Sequence, residues 1–165
     1  MEAPAKAFRE QPDGDMPTRS RICFVCTGNT CRSPMAAAVA NAQWGQELTA
    51  ISRGLYANEG EPITPLAIQA LETAGIKPCP QNDYHTHTAR NLSTADVQDC
   101  DLLVAVSAGH AMQMLLQFPQ AAHKITCLPT PIDDPWGQGI EVYQRCLESI
   151  IRGVNELLAK GEGRP

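Results

Sequence analysis

The segment Cys26–Ser33, with the sequence Cys-Thr-Gly-Asn-Thr-Cys-Arg-Ser, lies between the apolar run Ile22–Val25 and an alanine-rich run that begins at Pro34. The first run is typical of a buried strand, and the second is typical of a helix. A loop that joins a strand to a helix N-terminus collects backbone N–H groups that point toward one place, and the helix dipole adds positive potential there. The order strand, loop, helix therefore predicts an anion-binding pocket in an α/β fold.

The rest of the chain continues the alternation of apolar runs with helical patterns. Strands are expected at 21–26, about 49–53, 102–106 and 125–128. Helices are expected at about 34–48, 64–74, 94–99, 108–117 and 140–160. The last two strands are continuous apolar runs, as expected of strands that are covered on both faces. The pattern predicts a single-domain, doubly wound, four-stranded parallel sheet with helices on both faces, and it places ligands beyond the carboxyl ends of the strands.

Length and charge limit the classes of protein that fit. Residues 20–160 are expected to form the domain, 1–19 a disordered N-terminal tail and 161–165 a C-terminal tail. The net charge of −5 gives no indication of a nucleic-acid or membrane partner, and no apolar run reaches the roughly 20 residues of a membrane span. Charges near the N-terminus argue against a signal peptide, so a cytoplasmic location is expected.

The seven cysteines are scattered, which fits free thiols in a reducing compartment better than a disulfide framework. Cys23 and Cys26 have the spacing of metal ligands, but residues three apart on a strand point to opposite faces. His85 and His87 have no second pair of ligands nearby. The sequence therefore predicts neither a metal nor a cofactor.

The loop carries the residue types that phosphoryl transfer needs. The N–H donors, the helix N-terminus and Arg32 all favour a charged sulfur, so Cys26 is expected to be largely a thiolate and the nucleophile. Arg32 can present a planar fork to two phosphoryl oxygens. Gly28 permits backbone conformations that other residues avoid, and Asn29 tolerates the left-handed region. These donors would stabilise the transition state without a metal.

The leaving group also needs a proton, which a carboxylic acid at the same sheet edge could supply. The segment 131–137 follows the fourth predicted strand and offers Asp133 and Asp134. Pro135 holds the backbone of Asp134 extended and limits where its carboxyl group can point. We favour Asp134 as the acid; the alternative is an ordinary Asp-Pro turn.

From about Ile22 to Leu158 the chain resembles the low-molecular-weight protein tyrosine phosphatase family. The matching segments are Val25–Pro34 and the distant Asp134-Pro135-aromatic-Gly. The resemblance implies that Cys26 is the nucleophile, Arg32 the phosphate clamp, and Asp134 the acid and then the base for water. It implies a phosphate-binding loop formed by Thr27, Gly28, Asn29, Thr30, Cys31 and Ser33.

The resemblance also implies a supporting hydrogen-bond network formed by Asn29, Ser33, Ser52 and His87. The chain departs from the family pattern at Arg53, where the family usually has alanine between serine and glycine. The side chain of Arg53 could reach the pocket rim or the solvent, and the sequence leaves both open.

Thr30 bears on the type of phosphoprotein. Tyrosine-directed members usually have an aliphatic residue at this position, whereas members resembling bacterial protein arginine phosphatases have threonine. A hydroxyl disfavours an apolar ring and suits a guanidino group, and Trp136 at the rim offers a face to either. We expect a phosphorylated protein as partner, with phosphoarginine favoured and phosphotyrosine as the alternative, and a monomer or weak dimer.

Two other classes share features of the loop. Thiol-dependent arsenate reductases resemble this fold, but no cysteine pair follows the third strand, where Ser107–His110 stands instead. A phosphate-binding module without turnover would leave Asp134 without a role. Multiple turnover on a phosphate ester separates that module from an enzyme.

Overall fold

The computed structural model describes residues 19–161 and shows a parallel sheet between two layers of helices. The strands are β1 (Ser20–Cys26), β2 (Leu48–Gly54), β3 (Leu102–Ala105) and β4 (Ile125–Cys127). Their order is β2-β1-β3-β4, and every neighbouring pair is parallel. This confirms the four-stranded parallel sheet that the sequence predicts. Because β1 has β2 on one side and β3 on the other, the order reverses at β1, where doubly wound sheets bind ligands.

Within residues 19–161, four α-helices lie in the connections between the strands and a fifth follows β4. They are α1 (Arg32–Trp44), α2 (Pro65–Thr73), α3 (Thr94–Asp99), α4 (Ala108–Gln117) and α5 (Ile140–Ala159). Short 3-10 helices at Tyr84–Thr86 and Pro119–Lys124 were not expected from the sequence. The first helix starts and ends earlier than its predicted range, 34–48. It begins before Pro34, because the first helical turn tolerates a residue without an N–H, and it ends at Trp44, because Leu48 starts β2.

The alternation of side chains along β1 divides the core in two. Phe24 and Cys26 pack into the layer that contains α1, α2 and α5. Cys23 and Val25 pack into the layer that contains α3 and α4. Cys23 and Cys26 therefore lie on opposite faces of the sheet, as their spacing predicts.

The two strands that read as continuous apolar runs differ in burial. All of β3 is buried, as expected. The expectation was wrong for β4, whose three residues are half-exposed because β4 lies at the edge of the sheet.

Among residues 19–161, no helix is long and apolar enough to cross a membrane. Apart from Arg19 and Gly161, the expected N-terminal tail, 1–19, and C-terminal tail, 161–165, lie outside the described residues. The domain boundaries therefore remain predictions.

Candidate active site

The connection between β1 and α1 curls around a cavity of about 260 Å³ at the carboxyl edge of the sheet. The cavity is lined by Cys26, Thr27, Gly28, Asn29, Thr30, Cys31, Arg32, Glu61, Asp134 and Trp136. Asn29 has φ 59°, in the left-handed region that its residue type tolerates. A larger open groove of about 820 Å³ lies between the C-terminal end of α1 and residues 77–81, and it contains none of these side chains.

Asn29 is the centre of a buried hydrogen-bond network behind the loop. Its Nδ2 donates to Ser33 Oγ at 2.8 Å and to Ser52 Oγ at 3.0 Å. Its Oδ1 accepts from the Arg90 backbone N–H at 2.9 Å, and its carbonyl accepts from His87 Nε2–H at 2.8 Å. Burial lowers the pKa of His87, which favours the neutral ring in this contact. The structure thus brings together the four residues expected to support the loop.

The sulfur of Cys26 lies at the floor of the cavity and is almost fully buried. Ser33 Oγ is 2.9 Å from this sulfur, and the Asn29 backbone N–H donates to it at 3.3 Å. Because Asn29 Nδ2 already donates to Ser33 Oγ, the hydroxyl hydrogen of Ser33 is available to the Cys26 sulfur. The other acceptor within reach is the Arg53 carbonyl at 3.4 Å, and the shorter contact favours Ser33 as a donor to the Cys26 sulfur.

Burial raises the pKa of the Cys26 thiol above its usual value. The Ser33 hydroxyl, the Arg32 guanidinium and the Asn29 N–H act in the opposite direction. Removal of the sulfur from water therefore opposes the thiolate form expected of Cys26, whereas the contacts with Ser33, Arg32 and Asn29 favour it, and the thiolate remains a prediction.

Arg32 and Asp134 meet across the cavity. Arg32 is buried, and its Nη1 donates to the Ile132 carbonyl at 3.2 Å. Its Nη2 lies 3.7 Å from Asp134 Oδ2, and the Asp134 side chain is 56% exposed at the mouth. Asp133 does not line the cavity, and its carbonyl accepts from the Cys146 thiol at 3.6 Å. Of the two aspartates that the sequence offers, the structure brings only Asp134 to the loop.

Thr30 and Trp136 lie on the cavity wall, where the sequence places them. Trp136 is 64% exposed at the rim, and its backbone N–H donates to Asp134 Oδ1 at 3.1 Å. Thr30 is buried, and its hydroxyl lies 3.8 Å from Cys31 Sγ. No side chain caps the N-terminus of α1, so Thr30 does not serve as a helix cap.

Cys31 contacts Tyr143, whose hydroxyl lies 3.4 Å from Cys31 Sγ. Burial and the Cys31 contact raise the pKa of Tyr143 to about 12, so its hydroxyl remains protonated. This contact joins the loop to α5.

Arg53 takes neither of the positions that the sequence left open. Its side chain is 16% exposed and pairs with Asp96 at 2.9 Å, and its Nη1 donates to the Ser52 carbonyl at 2.8 Å. Arg53 therefore ties β2 to α3 and does not line the cavity.

Two polar residues were missed by the sequence analysis: His110, which contacts a residue of the cavity wall, and Glu61, which lines the cavity. His110 on α4 has its Nε2 2.8 Å from Thr27 Oγ1 and its Nδ1 2.6 Å from Ser107 Oγ. Its position after β3, at the same sheet edge as the loop, was a signal that could have found it. Glu61 lines the cavity from the connection between β2 and α2, and its neighbours in sequence give no sign of this role.

A four-stranded parallel sheet that gathers a cysteine, an arginine and an aspartate around one anion-sized loop defines an α/β protein phosphatase. The chain belongs to the low molecular weight phosphotyrosine protein phosphatase family, whose sequence model matches residues 21–162.

Its relatives include phosphatases of two specificities. The protein-arginine-phosphatase of Geobacillus stearothermophilus is 31% identical over 147 residues, which cover 85% of this chain and 95% of the relative. The low molecular weight protein-tyrosine-phosphatase of Streptomyces coelicolor is 32% identical over 157 residues, which cover 84% and 92%. The solved structure of the Geobacillus arginine phosphatase has a TM-score of 0.77 and covers 86% of this chain and 92% of that chain.

Proposed function

We propose that the protein hydrolyses phosphorylated residues of proteins through a phosphocysteine intermediate on Cys26, and that phosphoarginine is its preferred substrate. The observation that carries the proposal is the shared cavity, in which the Cys26 sulfur, Arg32 and Asp134 line the loop that follows β1. No metal ion is needed, because backbone N–H groups and the guanidinium bind the phosphoryl oxygens.

In the first half of the reaction, the Cys26 sulfur attacks phosphorus. Burial raises the pKa of the thiol, so we infer that its proton passes to a phosphoryl oxygen of the bound substrate, and the Ser33 hydroxyl then donates to the thiolate. The S–P bond forms as the bond from phosphorus to the leaving nitrogen or oxygen breaks. Arg32 binds two phosphoryl oxygens, and Asp134 protonates the leaving atom.

In the second half, water attacks the same phosphorus from the side that the leaving group vacates. Asp134, now ionised, accepts a proton from this water. The S–P bond breaks, the electron pair returns to the Cys26 sulfur, and inorganic phosphate leaves. The exposure of Asp134 at the mouth gives water access to this carboxylate.

Phosphoarginine is favoured by the polar wall of the cavity. The buried Thr30 hydroxyl lies where an aliphatic side chain would pack against a phenyl ring, and Asp134 is at the mouth, near the place of the leaving group. The Geobacillus relative, an arginine phosphatase by name, supports this choice. Phosphotyrosine is the alternative, because the exposed Trp136 ring can stack on tyrosine and the Streptomyces relative is named a tyrosine phosphatase.

Phosphoarginine and phosphotyrosine peptides of otherwise identical sequence test the preference. The wild type should have the higher kcat/KM for phosphoarginine. Thr30→Ile should lower that value and raise the one for phosphotyrosine, each on the order of 10-fold for one altered pocket contact. Thr49→Ile makes the same change on β2, outside the cavity, and should change neither.

A wild type that prefers phosphotyrosine, with an unchanged ratio in Thr30→Ile, would leave the tyrosine phosphatase as the better description. A cytoplasmic location and a monomeric or weakly dimeric state belong to the same proposal.

A further inference from the structure

The charges that line the candidate phosphate cavity are unusual for a site that binds an anion. Arg32 is the one cationic side chain among the lining residues, whereas Asp134 and Glu61 both carry carboxylates. Arg32 and the backbone N–H groups of the loop attract a phosphoryl group, and Asp134 has a role as its proton donor, whereas Glu61 adds an acidic side chain that repels a group bringing only negative charge. The composition of the wall therefore points to a ligand that also carries a positive charge.

Glu61 is held at the wall by its backbone. Its N–H donates to the Asn58 carbonyl at 3.1 Å, and its carbonyl accepts from the Ala89 N–H at 2.7 Å. Gly60, with φ 89°, precedes it, and Pro62, which bridges to the neighbouring segment, follows it. Within residues 19–161 no hydrogen bond or ion pair engages the Glu61 carboxylate, which is free to meet a ligand.

The topology places the two carboxylates on different sides of the loop. Glu61 belongs to the connection that follows β2, and Asp134 belongs to the connection that follows β4. These are the two edge strands of the sheet, and β1, which carries the Cys26 loop, lies between them. A group that enters the cavity with its phosphoryl end on the loop thus passes between an acid from each edge.

Phosphoarginine fits this distribution of charge and phosphotyrosine does not. A guanidinium bonded to the phosphoryl group places a cation within a few bonds of phosphorus, and its N–H groups can donate to carboxylates in a fork geometry. A tyrosine ring offers neither a charge nor a donor at that position. Glu61 would repel the phosphoryl group of phosphotyrosine, and that substrate has no cation near phosphorus to offset the repulsion.

We propose that Glu61 is a specificity-determining residue, which binds the guanidinium of a phosphoarginine substrate opposite Asp134. The proposal rests on the proposed function, because it concerns the leaving-group side of the same site. Asp134 transfers a proton to the leaving nitrogen, whereas Glu61 takes no part in proton transfer and pairs with the cation before and after the P–N bond breaks.

Glu61→Gln removes this charge with little change in shape. Its kcat/KM for a phosphoarginine peptide should fall on the order of 10-fold, and its value for the matched phosphotyrosine peptide should stay equal or rise. The loss should shrink as salt is added, because screening weakens the interaction between exposed charges. Glu61→Asp keeps the charge and should retain the preference for phosphoarginine.

Glu59→Gln is the matched control. Glu59 lies in the same connection and outside the cavity, where its carboxylate accepts from Asn91 N–H at 2.9 Å. It should leave the substrate ratio unchanged. If the wild type prefers phosphoarginine and Glu61→Gln keeps the same ratio as Glu59→Gln, the role of Glu61 is overturned while the proposed function stands. If the wild type itself prefers phosphotyrosine, the preference on which the role depends has failed before any variant is compared.

Discussion

At the scale of single residues, the chemistry of the loop depends on the direction of one hydroxyl hydrogen. Asn29 Nδ2 donates to Ser33 Oγ, which leaves the Ser33 hydrogen for the Cys26 sulfur at 2.9 Å or the Arg53 carbonyl at 3.4 Å, and the shorter contact favours the sulfur. This contact and the Asn29 N–H lower the pKa of a thiol whose burial raises it. Ser33 therefore stabilises the thiolate that the proposed attack requires, although it does not line the cavity.

Ser33→Ala should raise the pKa of the Cys26 thiol further. A hydrogen bond to a charged group contributes about 1.5–3 kcal/mol, which corresponds to roughly one pKa unit or more. The rate of alkylation of Cys26 by iodoacetamide, followed against pH, gives this pKa directly. Ser52→Ala removes a hydroxyl that contacts Asn29 and not the sulfur, so its profile should move less. A profile for Ser33→Ala that is unchanged, or moved to lower pH, would contradict the assignment of Ser33 as donor.

Asp134→Asn should slow the release of poor leaving groups by about 10²-fold or more, because the amide cannot supply a proton. Activated aryl phosphates should lose less in the first step, since their leaving groups need little protonation. Single-turnover phosphorylation measures that step alone. Asp133→Asn is the control, because Asp133 does not line the cavity. Equal losses on both substrates, or a greater loss in Asp133→Asn, would point to a different acid.

At the scale of helices and strands, local patterns predicted much of what the structure shows. The continuous apolar run of β1, followed by the loop and an alanine-rich helix, needs no distant partner to be recognised. The ends of α1 were misplaced by up to four residues, because Pro34 suggested a later start and Gly45, which directly follows Trp44, was not used as the signal for the end.

The prediction of the site was incomplete where a side chain depends on a partner that is far away in the sequence. Arg53 stays away from the cavity because Asp96, which is 43 positions later, pairs with it. A local pattern contains no information about such a partner. The burial that raises the pKa of Cys26 has a similar origin, since its extent depends on elements that pack from elsewhere in the chain.

We predict that the Arg53–Asp96 ion pair, which joins β2 to α3, stabilises the folded protein. Burial alone would raise the pKa of Asp96, but hydrogen bonds from Arg53 and Ser93 lower it below its usual value. Its contribution to stability is therefore fully present above the unfolded pKa of about 4 and is lost as the pH falls through the lower folded pKa. Asp96→Asn should lower the free energy of unfolding at pH 7 by about 1–3 kcal/mol.

Urea unfolding at a series of pH values measures this difference, which should shrink in acid below about pH 4. Asp99→Asn, an exposed change on the same helix, should show a small effect at every pH. A difference between wild type and Asp96→Asn that stays constant into acid would mean that the ion pair does not contribute.

At the scale of the whole molecule, the sheet order explains why residues far apart in sequence share one cavity. Cys26 ends β1 and Arg32 begins α1, on either side of the loop that joins them. The connection after β2 supplies Glu61, and the connection after β4 supplies Asp134. The connection after β3 leads into α4, whose His110 contacts Thr27. The sequence predicted the residues carried by motifs. It could not predict Glu61, whose position follows only from how the connection after β2 folds over the edge, whereas the place of His110 directly after β3 was a signal that was not used.

The central claim is that Cys26 becomes covalently phosphorylated during turnover. Asp134→Asn mixed with an activated aryl phosphate offers the most direct measurement, since phosphorylation proceeds while the base for the second step is missing. Acid quenching within one turnover, followed by peptide mass spectrometry, should find one phosphoryl group on the Cys26 peptide. Cys26→Ser should show no turnover under the same conditions. Turnover that proceeds with no phosphoryl group on Cys26, or undiminished activity in Cys26→Ser, would contradict the account.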